Sequence, residues 1–407
     1  MIKLLDINLA LFAGNTNVTT DSDLSDEMKT YYSDYLIDLA EPELVHDQFG
    51  QKHPIPKNGG KTIEFRKFDS LPKALTPLTE GVTPDGQKMK MGVITATVAQ
   101  YGGFIELSDI LLLTAIDNNL LQATEMLASQ AGRTLDTITR EVLNGGTNVL
   151  YAGGVADRSL LKGGESSGNN YFGVDDVRKA VRKLKVMNTQ KINGDFVSVI
   201  HPDVSYDLMS DPQWIDVKTY SDPKGIYEGE IGKLHGVRFV ESTEAKVFHA
   251  EDLSAAARNL TVASYSTKVV TIDETLTSED AAALVGRLVI IQGEVCEIAA
   301  ATTSTFTLKD APSITPADGD IVYPGEAGAK GRDVYSTLIM GANAYGVTEV
   351  TGGGLQHIVK QLGSAGTSDP LNQRATAGWK ATKVAERLVE QYMVRVESAS
   401  TFEIGAN

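Results

Sequence analysis

A single run in the sequence has the form of a hydrolase motif. Gly164-Glu165-Ser166-Ser167-Gly168 fits the pattern G-x-S-x-G, in which the middle serine is the nucleophile. That chemistry needs a strand before the serine and a helix after it, because the sharp turn between them strains and exposes the hydroxyl. Here the motif lies in the polar stretch LLKGGESSGNNYFG, which is typical of a solvated loop. A serine hydrolase is therefore only an outlying alternative.

A second run, GGKT at 59–62, has the last residues of a phosphate-binding loop. In such a loop, backbone amides and the lysine hold phosphates at the start of a helix. The first glycine of the motif would fall at Ile55, and the strand-like run KTIEFRKF follows where a helix is required. The spacing favours a plain loop that enters a strand.

Metal-binding and thiol chemistry find no support in the spacing of histidines and cysteine. The six histidines are scattered: His46, His53, His201, His235, His249 and His357. None forms H-E-x-x-H, and Cys296, the single cysteine, has no partner at ligand spacing. Cys296 alternates with Glu297 as in a strand, which indicates a small core residue, and His201 before Pro202 indicates a packed or hydrogen-bonded histidine. The sequence predicts no catalytic residue, no metal and no cofactor.

Composition restricts the class of protein. The chain has 407 residues and a net charge of −16, so its surface as a whole is not built to hold nucleic acid phosphates. Residues 21–47 carry nine Asp/Glu against one Lys, and residues 246–330 carry twelve against six Lys/Arg. A lone cysteine indicates a reducing compartment, and we predict neither a signal peptide nor a membrane span.

The elements that would position any site begin with a short amphipathic helix at 24–40. Strand-like runs follow at 61–68 and 91–107. The 22 residues between these runs are rich in proline and glycine and longer than most connections in compact domains. We expect them to project as an extended, two-stranded flap.

A long amphipathic helix is predicted over 117–143, which would span about 40 Å. Gly145 and Gly146 suit a left-handed stop at its end. Gly132 within it, beside Ala128 and Ala131, predicts close approach by another backbone.

The next region predicts a mixed α+β domain, with a helix at 173–188, a buried strand at 195–202 and two short strands around a glycine turn at 227–242. The helix carries a basic cluster: Arg178, Lys179, Arg182, Lys183 and Lys185. This cluster could contact DNA, pair with an acidic surface such as 21–47 of a neighbour, or be a solvated face.

Residues 246–330 shift to Thr, Ala, Val and Gly, and we predict an inserted β-barrel or sandwich there. The candidate strands are 260–265, 267–273, 286–292, 294–300, 303–309 and 319–323. Further on, residues 372–398 are ambiguous between strand and helix, and we favour a strand through Trp379.

Several stretches together resemble one family. They are LAEPELVHDQFGQKHPIPKNGGKTIEFRKF, AGRTLDTITREVLNGGTNVLYAGG, FVSVIHPDVSYDL, GEIGKLHGVRFVES, DVYSTLIMGANAYGV and DPLNQRATAGWK. In this order they resemble the major capsid proteins of N4-like tailed bacteriophages, over residues 24–245 and 331–398. Residues 246–330 depart from the resemblance.

The resemblance implies an α+β protein of the Hong Kong 97-type capsid fold, with an inserted all-β domain and no enzymatic activity. The implied segments are an N-terminal arm at 1–50, an extended-loop region of the peripheral domain at 51–110, the spine helix and peripheral domain at 111–172, the axial domain at 173–245 and 331–370, the insert at 246–330, and a return to the peripheral domain at 371–407. On the spine helix, Asp136 and Arg140 would lie on the polar side.

The implied function is that of a major capsid protein, which forms hexamers and pentamers of an icosahedral shell around the double-stranded DNA of a tailed phage. Its partners would be itself, the portal and other virion proteins, and DNA by weak non-specific contact, with no membrane and no small-molecule substrate. It would assemble in the host bacterial cytoplasm and reside in the virion capsid. A nanocompartment shell protein of the same fold is the alternative.

Within such a shell, residues 69–90 are too long and too rich in proline and glycine to pack on their own domain. We expect them to lie over an adjacent subunit, with Arg66, Lys67, Lys88 and Lys90 near its acidic surfaces. The acidic insert is expected on the outer surface, away from DNA.

Overall fold

The computed structural model describes residues 45–54, 61–68, 71, 73–75, 77, 80–81, 86–89, 91–110, 119–164, 167–214, 232–348, 355–360, 362, 371 and 373–402. The helix predicted at 24–40 and most of the predicted arm lie outside these residues. The described chain mixes helices with five groups of paired strands, so the α+β class is confirmed.

The projecting segment begins and ends in an antiparallel pair. Strands β2 (Thr62–Phe68) and β3 (Met91–Thr97) pair along their whole length, from Thr62 opposite Thr97 to Phe68 opposite Met91. Ile63, Phe65 and Ala96 turn inward and are buried with Leu388 and Val389. The predicted strand at 91–107 is interrupted at Val98, and strand β4 (Ala99–Ser108) follows.

The long helix is α1 (Asn119–Asn144), close to the predicted 117–143. It lies on a three-stranded sheet in which β19 (Arg374–Lys383) pairs with both β4 and β18 (Leu355–Lys360). Ala128 and Ala131 are fully buried against Ala377 and Ala381, so small residues allow the close approach expected beside Gly132.

The end of α1 differs from the prediction. The helix stops at Asn144, but neither Gly145 nor Gly146 has a positive φ. A Cβ at Gly145 would lie 2.6 Å from Nη1 of Arg387. A side chain at Gly145 would therefore require the Arg387 guanidinium to shift. The prediction of a left-handed stop is wrong.

A mixed sheet forms the centre of the molecule. Six of its strands are β5 (Val149–Tyr151), β6 (Phe196–Ile200), β7 (Lys233–Leu234), β8 (Val237–Glu241), β16 (Val334–Met340) and β21 (Met393–Ser398). A seventh strand, β9 (Val247–Phe248), pairs with the first two residues of β16. The order is β5-β21-β16-β6-β8-β7, with β5–β21 and β6–β8 parallel. The predicted strand at 195–202 and the strand pair within 227–242 are confirmed by β6, β7 and β8.

Helices and a small sheet cover the two faces of this central sheet. Helices α2 (Val174–Val186) and α3 (Pro202–Met209) share one core with β6, β8, β16 and β21. On the other face, Leu143 at the end of α1 packs with Val197, Val199 and Tyr345. Tyr345 belongs to β17 (Tyr345–Thr348), which pairs with β1 (Gln51–His53) and β20 (Ala385–Arg387). Short 3-10 turns lie at Ala152–Gly154, Arg158–Leu160, Ala329–Gly331 and Glu390–Tyr392.

Six strands within 246–330 close into a barrel. They are β10 (Leu260–Ser266), β11 (Val269–Ile272), β12 (Leu288–Ile291), β13 (Glu294–Ala301), β14 (Thr305–Leu308) and β15 (Ile321–Pro324), paired in the order β10-β11-β14-β13-β12-β15. Each predicted strand range overlaps one of them, with the ends differing by three residues or fewer. Their inward side chains, including Cys296, Ile298, Phe306 and Leu308, form a hydrophobic core of their own.

The barrel region also contains helix α4 (Ser278–Leu284), so it is not all-β. A capping box between Thr277 and Asp280 starts this helix, and Leu284 packs into the barrel core. The chain enters and leaves the barrel at adjacent strands, since Val247 lies opposite Tyr335 and Phe248 opposite Val334. The expected proximity of the two ends is confirmed.

Two strands pair outside the segments assigned to them. β18, expected in the second axial segment 331–370, lies in the sheet that supports α1. β21, expected in the peripheral return 371–407, runs through the central sheet between β5 and β16. Strand β19 completes the α1 sheet, and the chain then crosses to the central sheet.

Candidate assembly surfaces

The described chain brings three groups of charged side chains together at places where its segments join. The first, which we call the N-terminal clamp, consists of His46, Asp47, Asp136, Thr139 and Lys383. The backbone amide and the Nδ1 atom of His46 each lie 2.7 Å from a carboxylate oxygen of Asp136. The hydroxyl of Thr139 donates to Asp47 at 2.6 Å, and the ammonium of Lys383 pairs with the same carboxylate.

The clamp holds the end of the predicted arm against helix α1 and strand β19. His46, Asp136, Thr139 and Lys383 are almost fully buried, and the Tyr345 hydroxyl donates to the carbonyl of His46. Burial raises the pKa of Tyr345 well above its ordinary value, with the Asp47 and Asp136 carboxylates adding to the effect. In a buried site each charge needs its partner, which makes this junction specific in geometry.

Asp136 was expected on the polar side of the spine helix, and that expectation is wrong. Its carboxylate is fully buried because His46 supplies its hydrogen-bond partners. Arg140 is only partly exposed and donates to the carbonyl of Glu244 at 2.8 Å. The pattern along α1 gave no sign of this, because the partners are 90 and more residues away in the chain.

The second group joins α1 to the stem of the barrel. Both carboxylate oxygens of Glu141 lie 2.9 Å from Nζ of Lys246. Burial raises the pKa of Glu141, but hydrogen bonds from Lys246 and Arg140 outweigh it and leave the pKa below its ordinary value. These contacts connect the helix with the residues that lead into β9.

The third group surrounds Glu397, a fully buried carboxylate on β21. The guanidinium of Arg158 donates to both of its oxygens at 2.7 Å, and Nε of Arg395 lies 2.8 Å away. Arg158 also stacks on the ring of Phe248, 3.5 Å from its centroid. This cation–π contact ties the entry strand of the barrel to the central sheet.

The extended hairpin presents a different kind of surface. Arg66 and Lys88 are exposed, while the side chain of Lys67 and all of Lys90 lie outside the described residues. Among the described residues of this segment, large apolar side chains are exposed: Leu71, Leu75, Met89, Met91 and Val93. Exposed apolar patches of this kind mark interaction surfaces. Only two of the four predicted interface cations have described side chains, so their role at an interface stays a prediction.

Helix α2 presents a basic face. Arg178, Arg182 and Lys185 lie at successive steps of four and three residues, and with His235 from the β7–β8 turn they line a surface groove. Lys179 pairs with Asp175 at 2.8 Å, so the positive charge near the N-terminus of the helix is partly neutralised. The predicted basic cluster is thus divided between a paired part and an exposed part.

The residues considered for catalysis show no convergent arrangement in the described part of the chain. Ser166 and Gly59–Gly60 lie outside it. Burial, with smaller effects of Glu294 and Asp310, raises the pKa of Cys296 to about 11, which keeps the thiol protonated. His201 accepts a hydrogen bond from the Asp203 amide as the N-cap of α3.

The residues that the structure describes include neither a metal-binding cluster nor a helix that could span a membrane. No group of three or more His, Cys, Asp or Glu side chains there is placed to hold a metal ion. No described helix is long and apolar enough to cross a membrane.

The known proteins that this chain resembles are phage capsid proteins. A family model described as phage capsid protein matches residues 81–361, which is more than half of the chain. No curated protein sequence matches the chain.

Solved capsid structures share the fold at low sequence identity. The capsid of Ralstonia phage GP4 is 11% identical, with 89% of this chain and 87% of that chain covered at a TM-score of 0.53. The capsid of cyanophage P-SCSP1u is also 11% identical, covering 86% and 87% at 0.51. The cyanophage Pam1 capsid is 11% identical, with 84% of this chain and 86% of that chain covered at a TM-score of 0.50.

The matched residues include all of α1, strand β3 of the hairpin, and every strand of the central sheet except β21. The chain belongs to the phage capsid protein family.

Proposed function

We propose that this chain is the major capsid protein of a tailed bacteriophage, which forms the hexamers and pentamers of an icosahedral shell around double-stranded DNA. The observation that carries the proposal is the family match across 81–361, which includes α1 and strand β3 of the hairpin. The exposed apolar residues of the hairpin support self-association, since Leu75 and Met89 are 82% and 75% exposed in the single chain. Shells built from many copies need repeated contacts of this kind.

The proposed architecture is of the Hong Kong 97 type, and the sequence resemblance to the capsid proteins of N4-like phages supports a relation to that group. In this assignment α1 is the spine helix, the β2–β3 hairpin is the extended loop, and the central sheet with α2 and α3 is the axial domain. The N-terminal clamp then joins the arm to the spine. The remaining partners in this proposal are the portal and other virion proteins, and assembly takes place in the host cytoplasm.

The extended loop, in this proposal, lies over an adjacent subunit. The inward residues of the hairpin base, Ile63, Phe65 and Ala96, are already buried in the chain itself. The apolar residues beyond the base have no such cover among the described residues. Arg66 and Lys88 would add contacts to acidic surfaces of the neighbour, together with Lys67 and Lys90.

The barrel is proposed as an insert on the outer surface of the shell. It has a hydrophobic core of its own, and its entry and exit strands are adjacent. Residues 246–330 carry twelve acidic against six basic side chains, which repel packaged DNA but are well solvated outside.

Sedimentation of the purified full chain tests this function. We expect species of five or six times the 43.7 kDa chain, or whole shells. A chain that remains a discrete monomer and hydrolyses esters would contradict the proposal and favour the hydrolase alternative.

The nanocompartment alternative predicts shells too, but with a different content. Particles purified from infected cells would contain double-stranded DNA if the chain is a phage capsid protein. Particles that enclose a protein cargo and no DNA would favour the nanocompartment.

A further inference from the structure

The exposed part of the basic face on α2 has the geometry of a polyanion contact. Arg178, Arg182 and Lys185 follow one another at helical spacing over about 10 Å of helix, and all three are exposed. His235 stands beside them in the groove, on the tight turn between β7 and β8.

Two of these cations have no counter-charge in the described part of the chain. Asp175 binds Lys179 at 2.8 Å and lies 3.9 Å from Arg178, so the acidic first turn neutralises only that end. Arg182 and Lys185 form no ion pair with another described residue. In a chain with a net charge of −16, an unneutralised pair of this kind is a local reversal of sign.

The groove is rigidly supported. Val177, Val181 and Leu184 on the opposite side of α2 are buried in the core that the helix shares with the central sheet. The side chains that line the groove therefore start from a fixed backbone. A fixed row of cations favours a partner with a repeating negative charge over a single small anion.

The barrel offers a direct contrast. Its exposed lysines are paired, since Lys309 lies 2.7 Å from Glu297 and Lys268 lies 3.9 Å from Asp310. The surplus of acidic residues makes the net charge of this region negative. The two surfaces thus differ in sign.

We infer that the groove formed by Arg178, Arg182, Lys185 and His235 contacts the phosphate backbone of packaged double-stranded DNA, and hence that this face of α2 is turned to the interior of the shell. The inference rests on the proposed function as a DNA-enclosing shell. The contact is through charge alone and carries no readout of sequence.

The first test measures binding of the full chain to a short fluorescent DNA duplex by anisotropy, over a series of salt concentrations. The double variant Arg182→Gln/Lys185→Gln removes two phosphate contacts, so the slope of log K against log salt should become shallower by about 1.8. The matched control, Lys268→Gln/Lys309→Gln, removes two paired barrel lysines and should leave the slope unchanged. An unchanged slope in the α2 variant, or an equal loss in the control, overturns the inference.

The second test measures acylation of Lys185 in two kinds of assembled particle. We expect Lys185 to be modified in empty shells made from the chain expressed alone, and to be protected in DNA-filled particles. Lys309 should react equally in both. If Lys185 reacts equally in both, DNA does not cover it; if it is protected in both, a neighbouring subunit covers it, and either result refutes the inference. Neither test decides the proposed function, which is judged separately by whether particles form and whether they enclose DNA.

Discussion

At the scale of single residues, the N-terminal clamp contains a buried ion pair on which the stability of the fold depends. Lys383 and Asp47 are both buried, and each would be an uncompensated charge without the other. Removing one member of a buried pair costs far more than removing both, because the remaining ion has lost both water and its partner. The free energy of unfolding should therefore depend on these two residues as a pair.

We predict that Lys383→Met lowers the free energy of unfolding by roughly 3–5 kcal/mol, because it leaves Asp47 buried and unpaired. Methionine retains most of the apolar stem. The measurement is urea unfolding of the purified chain. Lys309→Met, an exposed lysine on the barrel, is the control and should have no measurable effect.

The double variant Asp47→Asn/Lys383→Met should recover part of the loss. If the double variant is as unstable as the sum of the single variants, the two side chains do not interact energetically and the clamp is misassigned.

A second prediction at this scale concerns pH. Burial lowers the pKa of His201, and the nearby His249 lowers it slightly further. The Asp203 carboxylate acts in the opposite direction but does not cancel the effect of burial. The unfolded chain then binds a proton at this histidine at higher pH than the folded chain does. Stability should therefore fall as the pH drops below about 6.5, the ordinary histidine pKa.

His201→Asn keeps an acceptor for the N-cap of α3 but removes the titrating ring. We expect its unfolding free energy to fall less than that of the wild type between pH 7 and pH 5. Parallel pH profiles for the two proteins would show that His201 does not contribute.

The sequence predicts some residue environments well and others not at all. Cys296 and Ile298 alternate with Val295 and Glu297, and this period of two predicts that they share the inward face of a strand in the barrel. Asp136 looked like a surface carboxylate, because nothing near it in the chain identifies His46 as its partner. Buried polar pairs between distant segments leave no periodic trace.

At the scale of elements, periodicity predicted α1 and the six barrel strands closely, because each alternates or repeats within a few residues. It did not predict where β18 and β21 pair, since strand partners are decided by packing across the chain. The ending of α1 was mistaken for a similar reason. Gly145 lies against the guanidinium of Arg387, a residue distant in the chain, and a glycine packed against a side chain looks the same in sequence as one with positive φ.

The extended loop gives the third prediction. Deleting residues 72–87 should leave a folded subunit, because the hairpin base is held by Ile63, Phe65 and Ala96 against Leu388 and Val389. Assembly should be lost, as judged by the yield of sedimenting particles. A Gly/Ser segment of equal length is the control for simple shortening and should fail to restore assembly. Particles at normal yield from the deletion would show that the loop is not an assembly arm.

The barrel gives the fourth prediction. Replacing residues 251–327 with a short Gly/Ser linker should preserve shell assembly. The variant retains Phe248, on which Arg158 stacks, and Ala250, whose amide donates to Asp333 at 3.3 Å. Loss of particles, with the variant subunit still folded by circular dichroism, would show that the barrel takes part in contacts between subunits.

At the scale of the whole molecule, the sign of charge divides the surface. The arm and the barrel region carry much of the net charge of −16, whereas the exposed groove on α2 is basic. A shell wall with DNA on one side and solvent on the other fits such a division. The account therefore makes a claim about orientation as well as about assembly.

Electron cryomicroscopy of particles assembled from this chain tests the central claim most directly. The account predicts a closed shell with this chain repeated in rings of six and five, the barrel on the outside and the groove of α2 on the inside. A map in which the purified protein remains a single discrete subunit would contradict the function. Barrel density inside the shell would contradict the orientation.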